Sequence, residues 1–139
     1  MVQHSIDFRI YYEDTDAGGV VYHARYLAFG ERARTEAIRA QGHSAADLLD
    51  DFGLAFVVRH AAMDYRAPLR LDDIVCVTTR LTELGAASCR LLQTFHRAGV
   101  AEKPDCGTLD VRLACVRAAD GRAARFPPLW RDLLRGLVG

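Results

Sequence analysis

Lysine is almost absent from this 139-residue chain: Lys103 stands beside 17 arginines, and 18 Asp+Glu residues bring the formal net charge to zero. Nucleic-acid binders usually carry a basic excess, so a bulk polyanion is not an expected partner. No apolar run approaches the roughly 20 residues of a membrane span. Met1 to Asp7 has neither the basic nor the apolar region of a secretory signal. The expectation is a cytoplasmic protein with no membrane span. Cysteine is scarce and scattered. Cys76, Cys89, Cys106 and Cys115 form no C-x-x-C or C-x-x-H pair, so no zinc site of ordinary spacing is expected. There is no G-x-G-x-x-G run and no Walker motif, which removes the common phosphate loops.

What is present is a foldable apolar half. Hydrophobic residues make up 50% of the chain, too many for a disordered segment. A chain of this length is expected to form one domain, 1–139, with a core of its own. Residues 5 to 12 alternate, with Ile6, Phe8, Ile10 and Tyr12 on one side and Ser5, Asp7, Arg9 and Tyr11 on the other. Period two predicts a half-buried strand. From about Ala24 to Ala40 the apolar and small residues recur at three and four, which predicts a helix. Gly30, Ala33 and Ala37 would let that helix approach a sheet closely. Ser44 is placed to cap a second short helix, Ala45 to Asp51, ending before Gly53. Strands follow at 54 to 67, 74 to 84, 87 to 97 and 108 to 118, and a last helix at Leu129 to Leu137. Short turns at Leu84-Gly85-Ala86 and Ala119-Asp120-Gly121-Arg122 imply an antiparallel meander.

One helix cannot cover both faces of a five-stranded sheet. The expected solution is an α+β fold in which a curved sheet wraps around the long helix. The outer face is then expected to be covered by a second copy.

The chemistry-bearing stretch runs from Tyr12 to Glu36. Glu13, Asp14 and Asp16 sit within four positions after a strand, followed by Gly18-Gly19 and then by His23 at a helix start. A helix N-terminus offers free N–H groups and a positive dipole end, which suit an oxyanion. A carboxylate facing such groups is placed to attack a carbonyl or to activate a water. Residue types alone leave this loop open between a site and an ordinary solvated acidic turn. Asp14 is read as a loop-stabilising residue, against a second catalytic carboxylate or a metal ligand with Asp16 and His23.

The run Tyr11-Tyr12-Glu13-Asp14-Thr15-Asp16-Ala17-Gly18-Gly19-Val20-Val21-Tyr22-His23-Ala24-Arg25-Tyr26 resembles the signature of the hotdog-fold acyl-CoA thioesterases. The resemblance is to the 4-hydroxybenzoyl-CoA thioesterase-like group, and within it to the bacterial subfamily associated with Tol–Pal. Glu31-Arg32-Ala33-Arg34-Thr35-Glu36, Phe56-Val57-Val58-Arg59 and Tyr65-Arg66-Ala67-Pro68-Leu69-Arg70-Leu71-Asp72-Asp73 extend it. It implies a hotdog fold: a curved five-stranded antiparallel sheet around one central helix. It implies an enzyme that cleaves an acyl-CoA to free acid and coenzyme A. Asp16 then matches the catalytic carboxylate, as nucleophile or general base. The His23 backbone N–H matches the group that polarises the thioester oxygen, and its side chain matches a second functional group. Gly19, Val20 and Tyr22 are expected in substrate binding. Arg59 and Arg66, with Arg70 and Arg90 behind them, are the candidates for the coenzyme A phosphates. Glu31 is the rival catalytic acid.

No metal and no cofactor is expected, coenzyme A entering only as part of the substrate. The expected partners are a second copy in a homodimer, a tetramer of two dimers, and an acyl carrier protein. Two other functions remain open: a hotdog dehydratase or hydratase acting on hydroxyacyl thioesters, and a non-catalytic acyl-CoA or acyl-carrier-protein adaptor. Residues Ala98 to Gly107, with a loop at Glu102-Lys103-Pro104-Asp105, depart most from the family pattern.

Overall fold

The elements follow one another as β1 (His4–Arg9), α1 (Arg25–Arg39), α2 (Ala45–Phe52), β2 (Leu54–Tyr65), β3 (Ile74–Leu84), β4 (Ser88–Arg97), β5 (Asp105–Arg117) and α3 (Pro128–Arg135). A 3-10 turn, Tyr12–Asp14, follows β1. The computed structural model describes residues 3–99 and 105–138. Of the loop expected at Glu102-Lys103-Pro104-Asp105, Asp105 instead begins β5 and the rest lies outside the described residues.

The strands form one open five-stranded antiparallel sheet in the order β1-β3-β4-β5-β2. The expected meander holds for β3, β4 and β5. It does not hold for β2, which pairs with β5 at the far edge. The two helices between β1 and β2 carry the chain across the sheet, so β2 cannot lie beside β1. Register shifts at Val58/His60, Leu81/Glu83 and Phe95/His96 interrupt the ladders. Such irregularities bend strands and increase their twist, which suits a sheet curved around a helix.

Local chemistry sets the element ends. The Ser44 hydroxyl accepts the Asp47 N–H at 3.1 Å, and Asp47 Oδ2 accepts the Ser44 N–H at 2.8 Å. This reciprocal cap starts α2. Gly53 ends it in the left-handed region at φ 67°. β1 stops at Arg9 instead of Tyr12, because Tyr11 to Asp14 turn into the 3-10 helix. Tyr12 is therefore 81% exposed and does not share the inward side of Ile6, Phe8 and Ile10.

The core lies between α1 and the sheet. Phe29, Ala33 and Ala37 of α1 meet Val75, Val77, Leu91, Phe95 and Leu109 from the strands. Gly30 is the point of closest approach. A Cβ there would come within 2.6 Å of Leu109 Cδ2 and 3.2 Å of Gln93 Oε1. α3 closes one end of the core with Trp130 and Leu134, and Leu137 just after it is buried too.

The outward side of the sheet is largely polar. Thr78, Arg80, Thr94, His96, Asp110 and Arg112 alternate with the buried strand residues. Arg90 pairs there with Asp110 and, at 3.6 Å, with Glu83. Among the exposed apolar side chains, Val57, Val58 and Tyr65 follow one another along the β2 edge, 40%, 52% and 47% exposed.

Candidate active site

The acidic loop is a small hairpin held by its own backbone. Thr15 and Val21 form a bridge, the Asp16 N–H donates to Val20 O at 2.9 Å, and the Gly19 N–H donates to Asp16 O at 3.0 Å. Gly19 sits at φ 80°, a left-handed conformation that side-chain-bearing residues resist. The Asp16 carboxylate accepts the Gly18 N–H on Oδ1 at 2.8 Å, which fixes its direction.

Asp14 clamps the loop from below. Its carboxylate is buried, 4% exposed. Oδ1 takes the Arg25 Nε–H and Nη2–H at 3.0 and 2.6 Å, and Oδ2 takes the Tyr11 N–H at 2.9 Å. Its carbonyl accepts the Tyr22 N–H at 2.9 Å. The carboxylates adjacent in sequence are thus separated in space: Asp14 faces inward to a cation, and Asp16 faces a cleft.

That cleft has a volume of about 350 Å³. Asp16, Val20 and His23 line one side, and Tyr65, Arg66 and Pro68 the other, with Tyr26 and Val21 between. The hairpin is held to that second wall by the Val21 N–H, which donates to Leu69 O at 2.8 Å, and by a Val20–Arg70 bridge. The Tyr65 hydroxyl donates to His23 O at 2.8 Å, and its ring meets Tyr26 edge-on at 5.1 Å. Burial raises the pKa of both phenols, so both stay neutral donors at ordinary pH. The His23 N–H meets no acceptor among the described residues, two positions before α1 begins. The result is a carboxylate on one side of a cleft and an unused N–H at a helix start.

Of the residues read from sequence, Asp16, Val20, His23 and Arg66 line this cleft. Gly19 shapes the turn, and Tyr22 packs its ring on the His23 ring at 4.5 Å without lining the cleft. Arg59 is exposed on β2, outside the cleft lining. Arg66 is paired with Asp64 at 2.9 Å and with Asp105, so much of its charge is already met. Arg70 is exposed beside the hairpin, and Arg90 is engaged on the outer face. Glu31 lies on a different cavity. Sequence reasoning missed Arg25, Tyr26 and Tyr65 as parts of the site. Arg25 and Tyr26 stand inside the signature and Tyr65 opens one of the segments that extend it, but nothing local marks a tyrosine 42 positions away as the partner of the His23 carbonyl.

An open antiparallel sheet around a central helix, with an acidic hairpin at the start of that helix, defines a hotdog thioesterase-type domain. The chain belongs to the thioesterase-like superfamily, whose model matches residues 11–134. An acyl-CoA thioesterase, YbgC, of Haemophilus influenzae is 42% identical over 123 residues, 88% of each chain. The structure of a probable thioesterase from Bartonella henselae covers 91% of this chain and all of its own, at TM-score 0.83 and 32% identity. A 1,4-dihydroxy-2-naphthoyl-CoA thioesterase from Synechocystis has TM-score 0.85 with 96% of each chain covered; at 20% identity this likeness speaks to the fold.

Proposed function

We propose that this chain is an acyl-CoA thioesterase, releasing a carboxylic acid and coenzyme A, with Asp16 as the reacting carboxylate. The observation that carries the reading is the placement of Asp16 and His23 on one cleft in a member of the thioesterase-like superfamily. The thioester carbonyl sits with its oxygen toward the His23 N–H, which stabilises the developing oxyanion. Asp16 either adds to the carbonyl carbon, giving an anhydride that water then cleaves, or takes a proton from the water that adds. In both routes the C–S bond breaks and the electron pair leaves on sulfur. A thiolate is a good leaving group, so the cleft needs no strong acid. The Tyr65 hydroxyl holds the His23 peptide in place.

The site is proposed to be shared by two copies. β2 is an edge strand with exposed apolar side chains, a ready template for a further strand. Antiparallel twofold pairing of β2 with itself sets the Tyr65 end of one copy beside the Leu54 end of the other. Two such dimers would meet through the polar outer face, by ion pairs and hydrogen bonds. An acyl carrier protein, which presents the same pantetheine thioester, is a second proposed acyl donor. No helix among the described residues is long and apolar enough to cross a membrane; a cytoplasmic setting is part of the proposal.

The test is thiol release from a panel of short, long and aromatic acyl-CoAs. Turnover of at least one is expected, with Asp16→Asn lowering kcat by 10³-fold or more, on the order of 4 kcal/mol of barrier, while the fold is unchanged. Full activity in Asp16→Asn would move the chemistry to another carboxylate, Glu31 first. Water loss from a 3-hydroxyacyl-CoA without thiol release would point to a dehydratase, and binding without turnover to an adaptor.

A further inference from the structure

A second cavity, of about 390 Å³, lies between α1, α2 and the first half of β2, and it shares no lining residue with the Asp16 cleft. Its walls are largely apolar, built from Ile38, Leu49, Phe56, Val58 and Leu113. Arg34 interrupts them. It sits half-buried on the face of α1 turned to the cavity.

What holds Arg34 there is a buried polar relay. Gln93 is fully buried, and its amide nitrogen donates to Gly30 O and to Thr79 Oγ1, both at 2.9 Å. Both amide protons are therefore used, and Oε1 is the group left to face the helix. It accepts from Arg34 Nη1 at 3.5 Å. That one long contact leaves most of the guanidinium's five N–H donors without a protein partner among the described residues, open to solvent or a ligand. Among the described residues no carboxylate forms an ion pair with Arg34; Glu31, on the same cavity wall, favours its charge only from a distance. Burial meanwhile disfavours the cation and draws its pKa below the usual arginine value. An arginine fork with spare donors on an apolar wall is complementary to a carboxylate, which it can meet with two parallel hydrogen bonds. The volume is in the range of small-ligand pockets.

We propose that this cavity binds an apolar chain ending in a carboxylate, the chain against the walls and the carboxylate on Arg34. Such a ligand has two sources. One is a free carboxylic acid. The other is an acyl thioester with a carboxylate at its far end, held in the cleft of one copy and reaching the cavity of the copy paired along β2. The second source rests on the proposed function; the first does not.

Octanoate is titrated into the full-length protein and followed by calorimetry, with octanol and octylamine as controls. Saturable binding that prefers octanoate is expected. Arg34→Gln should weaken it about tenfold or more, the scale of one charge-assisted hydrogen bond. Arg34→Lys should keep part of it. Ala46→Phe, from an exposed cavity-lining position on α2, should block the space without touching Arg34 and serves if Arg34→Gln does not fold. Octanoate binding no better than octanol, or binding indifferent to these variants, overturns the proposal. The sources are separated by comparing suberoyl-CoA with octanoyl-CoA. A lower KM for suberoyl-CoA that disappears in Arg34→Gln identifies the acyl thioester, whereas equal KM with Arg34-dependent octanoate binding identifies the free acid. The binding arm needs no turnover, so its failure and that of the thioesterase reading are distinct.

Discussion

Asp14 and Arg25 are unequal partners. The Asp14 side chain is 5% exposed and that of Arg25 30%. Removing the arginine strands a buried carboxylate, whereas removing the aspartate's charge leaves a guanidinium that still reaches water. Arg25→Met should therefore cost about 2–3 kcal/mol, more than Asp14→Asn at about 1–2 kcal/mol, discounted for the pair's partial exposure. Urea unfolding of both variants checks the order. On the proposed mechanism both should also lower kcat, because the clamp sets the hairpin that carries Asp16. Cys89 is the opposite kind of residue, with nothing to do. Burial pushes its thiol up to about 12, so roughly one molecule in 10⁵ is thiolate at pH 7. In the native state Cys89 should resist a disulfide reagent at neutral pH and react only after denaturation. Rapid native labelling of Cys89, located by mass spectrometry, would contradict this burial.

At the scale of elements, α1 is held against the sheet by an absence. Gly30→Ala would gain roughly 1 kcal/mol of helix propensity. It would also press a methyl group toward Leu109, which is 1% exposed and has no room to withdraw. Overpacking of this kind costs about 1–3 kcal/mol, so the variant should melt lower despite the better helix former. A higher Tm would mean the gap is wider than the geometry states. The element limits show what local chemistry can encode. Ser44, Asp47 and Gly53 fix α2 within a residue of the expected span, because caps and left-handed stops act within one turn. β3 is found at 74–84 as read, since alternation persists along it. β1 ends at Arg9, short of its alternation, because Tyr12 continues the pattern but already belongs to the 3-10 turn.

For the molecule as a whole, the unfinished part is an edge. The outer face is largely polar, and Val57, Val58 and Tyr65 are exposed along β2. On the proposed β2 pairing, Val57→Glu should turn the dimer into a monomer in light scattering and lower activity with it, because each copy would lose the proposed neighbour beside its cleft. A dimer unchanged by this substitution would place the interface elsewhere.

Strand alternation, the small-residue face of α1, the caps and the acidic hairpin leading into a helix were legible without coordinates. Each is encoded by residues within a few positions of one another, where spacing and side-chain chemistry suffice. Three things were decided only by the tertiary structure. β2 lies beside β5 because two helices intervene before it. Tyr65 closes the cleft on a residue 42 positions earlier. Asp14, expected to stabilise its loop, does so through Arg25, a partner 11 positions on that no local spacing names. Arginine gives the same lesson at Arg66, Arg90 and Arg34. Composition says that the charge is there; only packing says whether a carboxylate already holds it.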